Sequence, residues 1–89
     1  LRTSSTRNRV KKEDAISLDQ IRSLTRKELA VLKYLTQGLA NKVIAYELNI
    51  SETTVKSHVS SILKKLGASN RVKVVASAAN IDFNQYVFN

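Results

Sequence analysis

The sequence has no cysteine and one histidine, His58. A disulfide framework and a thiolate metal site are therefore excluded, and a lone imidazole cannot make a histidine-rich metal site. No metal or other cofactor is expected. Clustered carboxylates are also missing, which leaves acid–base chemistry without its parts, so no enzyme and no catalytic residue are expected. No apolar run approaches the roughly 18 residues needed to span a bilayer. No signal-peptide pattern opens the chain. A soluble, cytoplasmic protein without a membrane partner is the expectation. Aromatic residues are few, at 6%, while 43% of the 89 residues are apolar. That balance suits one small helical domain with one core, and a second folded domain does not fit.

Two acid-free stretches hold ten of the fifteen cations. Residues 1–12 contain Arg2, Arg7, Arg9, Lys11 and Lys12 and no acid, so they supply +5 of the formal +8. The remaining ten cations and seven acids give residues 13–89 only +3. The second acid-free stretch lies between Glu52 and Asp82 and holds Lys56, Lys64, Lys65, Arg71 and Lys73. Positive potential is thus focused on the second half of the domain, which points to a polyanionic partner.

The stretch from Asn41 to Gly67 predicts two helices joined by a tight corner. In its second half Val55, Val59, Ile62 and Leu66 recur at helical spacing and must be buried. Thr53, Lys56, Ser57, Ser60 and Lys64 then gather on the opposite side, because each residue turns the helix by about 100°. Upstream, Ile44, Ala45 and Leu48 form a shorter apolar stripe, and Asn41 is expected to cap that first helix. Asn49 and Ile50 leave a short corner before Ser51, the expected N-cap of the second helix, with Glu52 favouring its positive end. Two helices joined this tightly make a helix-turn-helix.

Around this pair the chain reads as follows. Residues 1–14 are expected to form a flexible basic linker, either solvated or acting as an arm on DNA phosphates. The chain begins at leucine rather than methionine, so a fragment of a longer protein is expected. The domain proper is assigned to residues 15–83. Ala15, Ile16, Leu18 and Ile21 form a first apolar cluster, either a turn of helix or an extended segment. Thr25 can cap a helix whose stripe is Leu29, Leu32 and Leu35, and Gly38 supplies its stop. Glu28 falls on the edge of that stripe and needs a partner. Arg71 is the candidate for a structural ion pair, with a backbone amide or solvent exposure as alternatives. Gly67 ends the helix that begins near Ser51, and Asn70 or Ser69 caps a last one. There, Val74 and Ala78 are left over once one face is packed, which suggests a dimer contact or a partly exposed alanine-rich helix. Phe83, Tyr86, Val87 and Phe88 follow, with residues 84–89 assigned to a tail that folds back or frays.

With the helices placed, the chain from Leu24 to Ala79 resembles the LuxR/FixJ-type helix-turn-helix domain, the effector half of many bacterial transcription regulators. The resemblance rests on LTRKELAVL at 24–32, GLANKVIAYELNIS at 38–51 and TVKSHVSSILKKLGASNR at 54–71. Leu24, Thr25, Lys27 and Glu28 meet the family's Leu-Thr-x-Arg-Glu pattern. Ala30 and Val43 stand where the family usually has glutamate, and Ala40 where serine is common. The resemblance implies an all-α, four-helix domain whose third helix, about residues 52–66, enters the major groove of double-stranded DNA. It also implies a homodimer through the fourth helix. Positions matching Lys56, Ser57 and Ser60 then face base edges, and those matching Asn41, Lys42, Thr54, His58 and Lys64 lie near backbone phosphates. Thr53, on the same outward face, is assigned to the backbone as well. For His58, at the flank of the buried face, a structural hydrogen bond and a phosphate contact both remain open. An upstream regulatory domain is implied too, either the receiver of a two-component response regulator or the ligand sensor of a quorum-sensing-type regulator.

Sequence-specific DNA binding in transcription regulation is therefore the expected function. The alternative is a protein-interaction module that docks the basic helical face on an acidic partner. Lys56, Ser57 and Ser60 on one face favour DNA, because a protein-binding surface usually wants a large apolar anchor.

Overall fold

The computed structural model describes residues 16–79, 81 and 83. The linker expected over residues 1–14 and the tail over 84–89 lie outside the described residues. Among those described, every regular element is a helix: α1 (Leu18–Arg22), α2 (Arg26–Thr36), α3 (Asn41–Leu48), α4 (Glu52–Leu66) and α5 (Arg71–Ala78). The four helices expected from the sequence are α2 to α5. The first apolar cluster adds the short α1, closed by a capping box in which Ser17 and Gln20 each satisfy the other's backbone N–H.

Helix α4 packs against each of the other four. Its stripe of Val55, Val59, Ile62 and Leu66 meets Val31, Leu32 and Leu35 of α2, Ile44 and Ala45 of α3, and Ile21 of α1 in one core. Burying a leucine or isoleucine such as Leu32 or Ile62 contributes about 1.5–3 kcal/mol relative to leaving it in water. Ile81 and Phe83 are partly buried against the same core.

Two expectations are corrected. Val74 and Ala78 are not a surplus exposed pair, for they are 0% and 1% exposed and join the core. The exposed side of α5 instead carries Val72, 75% exposed, with Ala76 and the C-cap Ala79 at offsets of four and seven. Because α5 is apolar on more than one side, periodicity could not choose which side faces inward. Nor does Asn41 cap α3. The N-cap is Ala40, which makes no side-chain cap bond, and Asn41 is the first helical residue.

The inward side of α5 generates a stability test. Val74→Glu places a carboxylate in the core, at a cost of several kcal/mol out of a total of about 5–15, and should leave the chain largely unfolded by circular dichroism. Val72→Glu, on the exposed side, should stay within about 0.5 kcal/mol of the parent.

Candidate nucleic-acid interface

The corner between α3 and α4 is built by three residues. Asn49 adopts the left-handed conformation at φ 57°, which asparagine tolerates better than most side chains. The N–H of Ile50 reaches back to the carbonyl of Ala45 at 3.0 Å, closing the end of α3. Ser51 then opens α4: its Oγ accepts from the N–H of Thr54 at 3.0 Å and lies 2.9 Å from the Thr54 hydroxyl. At the other end Gly67, at φ 66°, supplies the left-handed cap, and the N–H of Ala68 donates to the carbonyl of Leu63. Both ends of α4 are thus fixed by local chemistry.

Between them Thr53, Lys56, Ser57, Ser60 and Lys64 are all exposed. They follow the outward side of the helix opposite Val55 and Ile62, and no acid stands among them. Glu52 is exposed too and borders this side at its N-terminal end, one turn before Lys56 and about 40° from it round the helix. Thr54 and His58 are half-buried on one flank, in line with Ser61 and Lys65. Lys42 is exposed in the first turn of α3 and Asn41 is half-buried beside it. The side chains expected to face a polyanion therefore divide between two places, the length of α4 and the start of α3.

On the inward side of that flank sits Glu28, 6% exposed. Its partner is not Arg71. Oε1 accepts from the N–H of Thr25 at 2.9 Å and from Nζ of Lys65 at 2.7 Å, while Oε2 accepts from Oγ of Ser61 at 2.7 Å. Thr25 returns the bond, accepting from the N–H of Glu28 at 3.1 Å. Lys65 also donates to the carbonyl of Ser23 at 3.1 Å. Burial alone would raise the pKa of this carboxylate. The hydrogen bonds from Lys65, Ser61 and Thr25, with the positive charge of Lys65, outweigh it and hold Glu28 at about 2, below its ordinary 4.5. The partners missed in the sequence, Ser61 and Lys65, had a readable signal: they lie four apart, immediately before Ile62 and Leu66 of the buried stripe.

Arg71 serves another joint. One guanidinium nitrogen donates to Oδ1 of Asn41 at 2.5 Å and the other to the carbonyl of Leu39 at 2.6 Å. The first residue of α5 thereby holds the entry to α3. Its own N-cap is Asn70, whose Oδ1 accepts from the N–H of Lys73 at 2.9 Å.

The Glu28 cluster makes a pH-dependent contribution whose sign follows from its depressed pKa. Stability from the ionised carboxylate is present above about pH 4.5 and is lost as pH falls toward 2. Glu28→Gln should destabilise by about 1–3 kcal/mol at neutral pH. The gap in melting temperature between parent and variant should close between pH 4.5 and 2. A gap that is absent at neutral pH would show the carboxylate to be solvated.

Comparison with known proteins bears on what this arrangement serves. The family model for bacterial regulatory proteins of the luxR family matches residues 22–78. The glycerol metabolism activator of Pseudomonas putida is 55% identical over 67 residues, covering 75% of this chain and 30% of that protein. The nitrate/nitrite response regulator protein NarP of Escherichia coli is 54% identical over 54 residues, 61% of this chain and 25% of the relative. The transcriptional regulatory protein YdfI of Bacillus subtilis is 51% identical over 55 residues, 62% and 26% respectively. The chain thus spans between a quarter and a third of the length of these relatives. A match running from α1 to the end of α5, over the whole helix-turn-helix, establishes that this chain belongs to the luxR family of bacterial regulatory proteins.

Proposed function

We propose that the domain binds double-stranded DNA sequence-specifically as the effector of a bacterial transcription regulator, with α4 entering the major groove. The observation that carries this reading is the outward side of α4, where Thr53, Lys56, Ser57, Ser60 and Lys64 stand exposed along a helix anchored on its other side. Fifteen residues make α4 about 22 Å long, enough to lie along a groove. Lys56 suits the guanine acceptors, and the hydroxyls of Ser57 and Ser60 suit either donors or acceptors. Lys42, Lys64, Thr53, Thr54 and His58 hold the register on phosphates, together with Asn41. An upstream regulatory domain accompanies it in the full-length protein, as the name of the nitrate/nitrite response regulator suggests. Pairing on DNA uses the exposed stripe of α5, Val72, Ala76 and Ala79, rather than the buried Val74 and Ala78.

A second reading, a protein-interaction module that uses a surface other than the basic face of α4, is favoured by one feature. An open cleft of about 450 Å³ is lined by Arg26, Lys27, Ala30, Lys33, Tyr34 and Leu48, so cations border an apolar floor. It lies on α2 and the end of α3 and shares no residue with α4. The two surfaces are therefore separable by mutation.

Titration against a duplex selected from random sequence, and against a scrambled one, tests the DNA reading. Affinity should fall with salt at a slope of about −0.9 per phosphate neutralised; a flat response would remove DNA as the main partner. Lys56→Ala should cost about 1–3 kcal/mol on the selected site and much less on the scrambled one. Lys64→Ala should weaken both alike and make the salt slope shallower by about one unit. Equal loss on both duplexes for Lys56→Ala would reassign Lys56 to the backbone. Val72→Glu should keep the fold yet reduce cooperative binding to two half-sites, whereas unchanged cooperativity would move the pairing surface off α5.

A further inference from the structure

We propose that Arg71 is a positioning residue for the phosphate backbone, holding the side-chain amide of Asn41 by Oδ1 so that Nδ2 is left to donate. The inference rests on the DNA-binding reading and deepens it. A guanidinium has five N–H donors and no acceptor, so the Asn41 atom held 2.5 Å from it must be Oδ1. The second nitrogen of the same fork is committed to the carbonyl of Leu39 at 2.6 Å. With two anchors on either side of residue 40, the guanidinium has little freedom to turn. The carboxamide is therefore held in one orientation, and neither proton of Nδ2 is used in the bond to Arg71. No acceptor among the described residues takes them.

Asn41 is half-buried at the start of α3, next to the exposed Lys42. A fixed N–H pair beside a lysine suits an anionic oxygen that is itself only an acceptor, which a DNA phosphate provides. The positive charge behind Oδ1 polarises the amide further and strengthens its donors. Ala40 places no side-chain acceptor over the first turn. The last helix thus sets a contact made by another helix, and Arg71 itself need not touch DNA.

Asparagine and aspartate at position 41 distinguish this arrangement from a merely structural tie. Asn41→Asp retains an oxygen for Arg71, and makes that bond charge-assisted, but loses both donors. Its melting temperature should equal or exceed that of the parent, while its affinity for selected and scrambled duplex alike should fall about tenfold, as expected for loss of a hydrogen bond to a charged group. Asn41→Ala and Arg71→Ala should each weaken binding about three- to tenfold, and the double variant should bind no worse than the weaker single one, because both remove the same contact. Val31→Ala serves as the control: it opens a cavity in the core away from both surfaces, and should lose stability without losing affinity at a temperature where it remains folded. Parent-like affinity in Asn41→Asp, or additive losses in the double variant, would overturn the inference while leaving DNA binding intact. Melting of Asn41→Asp as low as that of Asn41→Ala would overturn it as well. A parent that binds no duplex at low salt would fail the DNA reading itself, and this inference with it.

Discussion

A buried carboxylate is costly unless donors surround it, and in this domain the donors that surround Glu28 come from two helices. Thr25 supplies a backbone N–H from the start of α2, and Ser61 and Lys65 supply side chains from the second half of α4. Lys65 extends the cluster to the carbonyl of Ser23, between α1 and α2. Apolar burial holds α4 against its neighbours but is non-directional, so Val55, Val59, Ile62 and Leu66 alone would tolerate small rotations about the helix axis. The bonds to Glu28 have short, specific distances and resist such rotation. They fix one flank of α4 inward and thereby set which residues face out.

The second polar joint divides the work differently. Arg71 connects α5 to the loop before α3, and Asn41 lies at that junction. One cluster therefore orients the helix proposed to read bases, and the other orients the start of the helix proposed to hold phosphate. Each is a cation and its acceptors on the inner side of a surface proposed to meet a polyanion. That placement removes Lys65 and Arg71 from the exposed basic set, although both belong to the acid-free stretch of the sequence. Lys56 and Lys64 remain as the exposed cations of α4.

Periodicity and capping chemistry made most of the helices legible. Val55, Val59, Ile62 and Leu66 lie inward and Thr53, Lys56, Ser57, Ser60 and Lys64 outward, as their spacing requires, and Thr25, Ser51 and Asn70 cap the helices they precede. Legibility ended where a choice depended on tertiary packing. In α5 the valines and alanines give two candidate faces, and only contact with the rest of the domain selects Val74 and Ala78. The need of Glu28 for partners followed from its position on the stripe. Their identity did not, since any cation within reach of the fold would satisfy the same rule, and Arg71 was already drawn to Leu39 and Asn41. Asn41 satisfied the residue preference of a cap, but Ala40 took that position one residue earlier.

The outward side of α4 and the start of α3 are proposed to form one surface for duplex DNA. Chemical-shift mapping of the isotope-labelled domain during titration with a selected duplex tests it most directly. Amide shifts should concentrate at Thr53, Lys56, Ser57, Ser60 and Lys64 and at Asn41 and Lys42, with Val31 and Leu32 in the core little changed. Shifts centred instead on Arg26, Lys27 and Lys33, with the outward side of α4 silent, would contradict it.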